Sequence, residues 1–88
     1  MILTGKAKED FLQWNEDNNE PLSTYAIKQG LIYGTVLNSI IIEWLDSVGV
    51  WDGVFYEVYI ESTPTTEFKQ ILNKAIITAN EIYNDRTK

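Results

Sequence analysis

Whatever chemistry this chain performs must come from carboxylates, lysines, tyrosines and hydroxyls, because it holds neither histidine nor cysteine. Histidine is the usual general base near neutral pH and the commonest metal ligand. Cysteine supplies the thiolate nucleophile and the soft metal site. Their joint absence removes Ser-His-Asp and Cys-His catalysis, cysteine-based zinc and iron–sulfur sites, and disulfides, and disfavours other transition-metal sites. Carboxylate-pair catalysis remains, but it needs two acids facing each other at a set distance, one of them in an apolar setting. Glu43 and Glu57 each have apolar neighbours, yet nothing in their spacing brings them together. No phosphate-binding glycine loop, dinucleotide fingerprint, zincin motif or nucleophile elbow occurs. The reading is therefore non-enzymatic, with no catalytic, cofactor-binding or metal-binding residue assigned and no cofactor implied. The alternative is a small enzyme or ligand-binding protein that uses carboxylate and Tyr residues.

Two oxygen-rich stretches invite a cation and both fall short. Asp46 to Glu57 has the length of a calcium loop, with acids at the first, seventh and twelfth positions. Its third and fifth positions are Val48 and Val50, and the obligatory glycine is Trp51. Glu16, Asp17 and Glu20 cluster around two asparagines, but a solvated helix end explains them without a metal.

Aromatic residues carry the more informative pattern. Trp51 falls at a turn signal, and Tyr59 alternates with Glu57 and Glu61 in an otherwise apolar segment. Exposed aromatics beside charges have the composition of a protein-binding hot spot. The candidate partner-binding residues are Trp51, Asp52, Phe55, Glu57, Tyr59 and Glu61: rings for affinity, acids for steering.

Charge narrows the partners. Thirteen acids against seven cations give −6, which repels phosphates at long range. The single arginine argues further against direct nucleic-acid binding. Met1 to Lys6 lacks the apolar core of a signal peptide. The longest uncharged run, Gln29 to Ile42, is too short for a membrane span. A cytoplasmic setting without membrane contact is expected.

One domain, residues 1–88, must position these groups. With 44% apolar residues the chain can fill a single core without staples. The spacing of Ala7, Phe11 and Trp14 predicts a helix over about 4–17, capped by Thr4 and ended at Pro21. Tyr33, Val36, Leu37, Ile40, Ile41, Trp44, Leu45 and Val48 predict a long helix to residue 48, closed by Gly49. It begins at 22 or, if Gly30 and Gly34 break it, at 31. Residues 50–61 are β-branched and aromatic, and Asp52-Gly53 is a type I′ turn signal. A short hairpin or strand is expected there, with Val54, Tyr56, Val58 and Ile60 turned to the core. Thr63-Pro64 predicts the start of a last helix over about 64–84, with Phe68 inward and Asn80 outward. The fold class is α+β: three helices packed on a short β element. Its free edge suggests a homodimer through the 50–61 strand.

Three stretches bear a resemblance: Leu3-Thr4-Gly5-Lys6-Ala7-Lys8-Glu9-Asp10-Phe11 with Trp14; Trp44 to Gly49; and Ala75 through Ala79-Asn80-Glu81-Ile82-Tyr83-Asn84. Together the chain resembles a group of small phage and prophage proteins of Bacteroidetes-type bacteria that has no assigned activity. The resemblance implies a shared fold, a mobile-element origin and a host-cytoplasm setting, with no functional residues to carry across. The combined expectation is an acidic accessory protein that acts by contact with a host or phage protein. Its sharper form is an inhibitor of a host nucleic-acid-binding protein.

Overall fold

The computed structural model describes residues 1–88 and contains five helices and no strand: α1 (Gly5–Asn18), α2 (Pro21–Lys28), α3 (Gly34–Ser47), α4 (Asp52–Glu61) and α5 (Phe68–Arg86). The expected α+β class is thereby corrected to all-α, and the 50–61 hairpin is helix α4. Two periods coexist in this segment. Val54, Tyr56, Val58 and Ile60 alternate, whereas Trp51, Val54, Phe55 and Val58 recur at helical spacing. Packing decides between them. A lone hairpin is marginal in water, while the helical stripe closes a small cluster with Ile71 and Ala75 of α5. Asp52 then lies in the first turn of a helix, where its charge meets the positive end of the macrodipole. With no strand there is no sheet edge, and the dimer route through it disappears.

Gly53 tests this correction. A type I′ turn needs positive φ at that position, but Gly53 has none and a Cβ there would meet nothing within 4 Å. Gly53→Ala should therefore raise stability by about 0.5–1 kcal/mol in urea unfolding. Gly49→Ala, at φ +76, should instead cost about 1 kcal/mol. A hairpin would make both substitutions destabilising.

The long central helix is split in two. Gly30 takes φ +76, and the amides of Leu31 and Gly30 return to the carbonyls of Ala26 (2.8 Å) and Ile27 (3.1 Å). This is a Schellman ending. Gly49 ends α3 in the same way, with Val50 N–H to Leu45 C=O at 2.9 Å and Gly49 N–H to Asp46 C=O at 3.1 Å. Val50 is buried in the core beyond that turn. The last helix starts later than predicted. Thr63-Pro64 opens a β-turn closed by Thr66 N–H to Thr63 C=O at 3.0 Å. Helix α5 begins after Glu67, whose carboxylate and Gln70 form a capping box.

The molecule is a slab of about 40 × 29 × 18 Å, so its core is one layer deep. Leu3, Ala7 and Phe11 meet Leu37, Ile41, Trp44 and Leu45 of α3, Ile27 of α2, and Ile76 and Ala79 of α5. Trp44 is the hub, edge-on to Phe11 (centroids 5.9 Å apart) and to Tyr83 (4.9 Å). The N-terminal end of the α3 stripe does not join it: Tyr33 and Val36 are exposed.

Thr4 precedes α1 but its side chain makes no cap to that helix. Two asparagines of α5 cap it instead. Asn80 Oδ1 accepts from the Thr4 amide at 2.9 Å, and Asn80 Nδ2 donates to the Thr4 hydroxyl at 3.0 Å. Asn84 Oδ1 accepts from the Ala7 amide at 2.7 Å, and Asn84 Nδ2 donates to the Thr4 carbonyl at 2.9 Å. Asn80, expected to face outward, is therefore buried. At the other end of α1, the buried Asn15 donates to Thr24 Oγ1 of α2 at 2.9 Å.

Beside the α5 cap, the Tyr83 hydroxyl donates to Asp10 Oδ2, and Lys6 Nζ lies 3.1 Å from Asp10 Oδ1. The Tyr83 bond, helped by Lys6, holds the Asp10 carboxyl below its ordinary range. Burial, then the Asp10 bond and charge, push Tyr83 up to about 12. The depressed Asp10 stabilises the fold above its ordinary pKa and loses that contribution as pH falls through the folded value. Raised Tyr83 stabilises below about 10 and loses its contribution as pH climbs toward about 12. Tyr83→Phe should cost about 1 kcal/mol at neutral pH and flatten the alkaline arm of a stability–pH profile.

Candidate functional site

Helix α4 is apolar on most of its surface apart from Asp52, Glu57 and Glu61, yet only its Val58 is fully buried. Its inner stripe packs on α5, and its outer face is left to solvent. Trp51, Phe55 and Tyr59 follow one another at i, i+4 and i+8, so the helix stacks them into a ladder. Trp51 and Phe55 stack with centroids 5.5 Å apart, and Phe55 and Tyr59 lie 6.2 Å apart. Phe68, the first residue of α5, meets Phe55 edge-on at 6.1 Å. The three predicted rings are thus brought together, by a helix where a strand was expected.

Their roles divide differently from the prediction. Trp51 and Phe55 are half-buried and form the base. The exposed tip consists of Tyr59 (53% exposed), Tyr56 (64%), Ile60 (58%) and Phe68 (60%). Tyr56 and Ile60 were expected to face the core, as was Phe68. Helical phasing turns Tyr56 and Ile60 outward, and the late start of α5 leaves Phe68 at its open end. Asp52, Glu57 and Glu61 are all exposed. Asp52 lies one turn before Tyr56, on the aromatic flank. Glu57 and Glu61 line the opposite flank, beyond Ile60.

Between α4 and the start of α5 runs an open groove of about 550 Å³ lined by Tyr59, Ile60, Pro64, Phe68 and Ile71, with hydroxyls of Ser62, Thr63 and Thr66. No carboxylate lines it. A second groove of about 290 Å³ lies between α3 and α5, floored by Ile42, Phe68 and Leu72 and bordered by Lys69. None of the main grooves holds two carboxylates, and no three metal-ligating side chains converge. Glu43 and Glu57 are exposed on α3 and α4. The Gly30/Gly34 pair makes no close helix contact; both glycines serve the α2–α3 turn at positive φ. No helix is long and apolar enough to cross a membrane.

The charge distribution adds a feature that residue-by-residue reading passed over. Glu43, Asp46, Asp52, Glu57, Glu61 and Glu67 lie between Lys28 and Lys69 with no lysine or arginine among them. The remaining seven acids are matched by the seven cations. The whole net charge of −6 therefore sits on the stretch containing α3 and α4. Tallying charge by segment finds this from sequence alone. No family model matches the chain, nor does any curated protein or solved structure.

Proposed function

We propose that this chain is a small non-enzymatic accessory protein of phage or mobile-element type, working in the host cytoplasm by contact with another protein through the outer face of α4. The observation that carries this reading is the set Tyr56, Tyr59, Ile60 and Phe68, each more than half exposed, on the outer face of α4 and the adjoining start of α5. A monomer gains nothing by showing water three aromatic rings and an isoleucine side by side. Tyrosine and phenylalanine there offer large contact area at low entropic cost, the property of binding hot spots. The half-buried Trp51 and Phe55 hold the exposed rings in place. An enzymatic reading has less support, since none of the main grooves brings two carboxylates to one place.

The test is affinity capture from host lysate with the wild-type chain beside Tyr56→Ser/Tyr59→Ser. Both side chains are exposed, so helix content and melting temperature should hold. Binding of the specific partner should fall at least ~30-fold, the effect of removing hot-spot aromatics. Equal capture by the two baits would remove the α4 face from the account.

A further inference from the structure

Resting on that reading, we infer that the partner's face is cationic as well as apolar: a lysine- and arginine-rich protein surface of the kind that binds nucleic acid. Three features of the molecule lead there. First, Asp52, Glu57 and Glu61 flank the exposed cluster on α4, Glu67 adjoins Phe68, and no cation occurs anywhere from residue 29 to residue 68. Lys69, the first cation after that interval, borders the α3–α5 groove on the far side of Phe68.

Second, a second copy of this chain is a poor occupant. The four exposed side chains offer roughly 450 Å² of apolar contact, taking about 200 Å² for an aromatic ring. A stable interface needs about 800 Å² from each partner. Much of the remainder lies on the flanks that carry Asp52, Glu57 and Glu61, where two copies would set carboxylate against carboxylate, relieved only by Lys74, which shares a groove with Glu61 and Val58. A cationic surface covers the same flanks with matched charge. Third, the groove between Tyr59, Ile60 and Phe68 has apolar walls edged by the hydroxyls of Ser62, Thr63 and Thr66 and holds no carboxylate, so it offers a lysine head no counter-charge and suits an aliphatic or aromatic side chain better. The complementary surface therefore carries an apolar ridge with cations to either side. Basic side chains in such an array neutralise phosphates when nucleic acid is bound, and this chain's carboxylates would occupy them instead.

The probe is a fluorescein-labelled amphipathic helical peptide of Lys and Leu, about 18 residues long. It is titrated with the full chain at about 50 and about 200 mM salt and read by anisotropy. Its Glu/Leu counterpart and an oligolysine of equal length separate apolar from charge-only binding. The Lys/Leu peptide should bind at least ~10-fold tighter than either control. Tyr59→Ser/Phe68→Ser should weaken it at least ~10-fold. Asp52→Asn/Glu57→Gln/Glu61→Gln should remove most of the salt dependence. Tyr33→Ser/Val36→Ser, which trims exposed apolar surface elsewhere, should change nothing. Equal binding of oligolysine, equal binding of the Glu/Leu peptide, indifference to Tyr59 and Phe68, or no binding at all overturns the inference. If α4-dependent capture from lysate persists while the Lys/Leu peptide fails, the contact reading stands and the cationic assignment falls.

Discussion

Replacing Trp44 with alanine should remove about 3–5 kcal/mol, a large share of the whole stability. Trp44 is 1% exposed and is the one side chain that touches aromatic partners on both α1 and α5 from α3. Truncating a buried aromatic costs about 3–5 kcal/mol, because the lost transfer energy is joined by the cavity left behind. A chain of this length has about 4–13 kcal/mol in total. The slab is one core layer deep, so no second layer can collapse into the void. Urea unfolding followed by circular dichroism should show the midpoint moved to much lower denaturant, by an amount equivalent to about 3–5 kcal/mol. Trp44→Phe keeps an edge-to-face partner and should cost clearly less. If Trp44→Ala retained a midpoint within about 1 kcal/mol of wild type, Trp44 would not be the hub of the core.

The second large effect concerns the cap that α5 supplies to α1. Asn80→Ala/Asn84→Ala removes the acceptors of the Thr4 and Ala7 amides, 2.9 and 2.7 Å away in the intact protein. Each orphaned partly buried donor costs about 1–3 kcal/mol, so a total near 3 kcal/mol is expected. Propensity works the other way: alanine is a better helix former than asparagine, by up to about 0.7 kcal/mol per residue. A net loss therefore cannot come from the helix propensity of α5; it reflects the lost cap together with the packing of the buried Asn80. Amide exchange at Thr4 and Ala7 should accelerate well before the rest of α1. A Thr4→Ala cycle against Asn80→Ala should show coupling above about 0.5 kcal/mol; simple additivity would dissolve the cap.

How much of this was legible beforehand depends on where each signal lives. Ala7, Phe11 and Trp14 announce α1, and Ile71, Ala75, Ile76 and Ala79 announce α5, because long amphipathic stripes outweigh local noise. Gly49 announces the end of α3 for a local reason, positive φ. Residues 50–61 misled because β-branched and aromatic residues fit a strand intrinsically, while the deciding contacts with Ile71 and Ala75 lie over ten residues away. The same error put Tyr56 and Ile60 on the wrong side, and placing the start of the last helix at 64 instead of Phe68 left Phe68 out of the candidate site. Trp51, Phe55 and Tyr59 survive as neighbours because the i, i+4 spacing that fails on a strand succeeds on a helix. Asn80 and Asn84 gave no hint of their roles, since their partners are more than seventy residues away. Residues 3–14, 44–49 and 75–84 meet in space around Thr4, Asp10, Trp44, Tyr83 and Asn84. They hold the fold together, and α4, the outward-facing element, lies outside them.

The cation-free interval also fixes how the protein comes apart under digestion. A protease that cuts after lysine or arginine finds no site from residue 29 to residue 68. Trypsin therefore returns α3 and α4 on a single peptide, and the acetylation and ubiquitylation machinery that targets lysine side chains has nothing to modify along either helix.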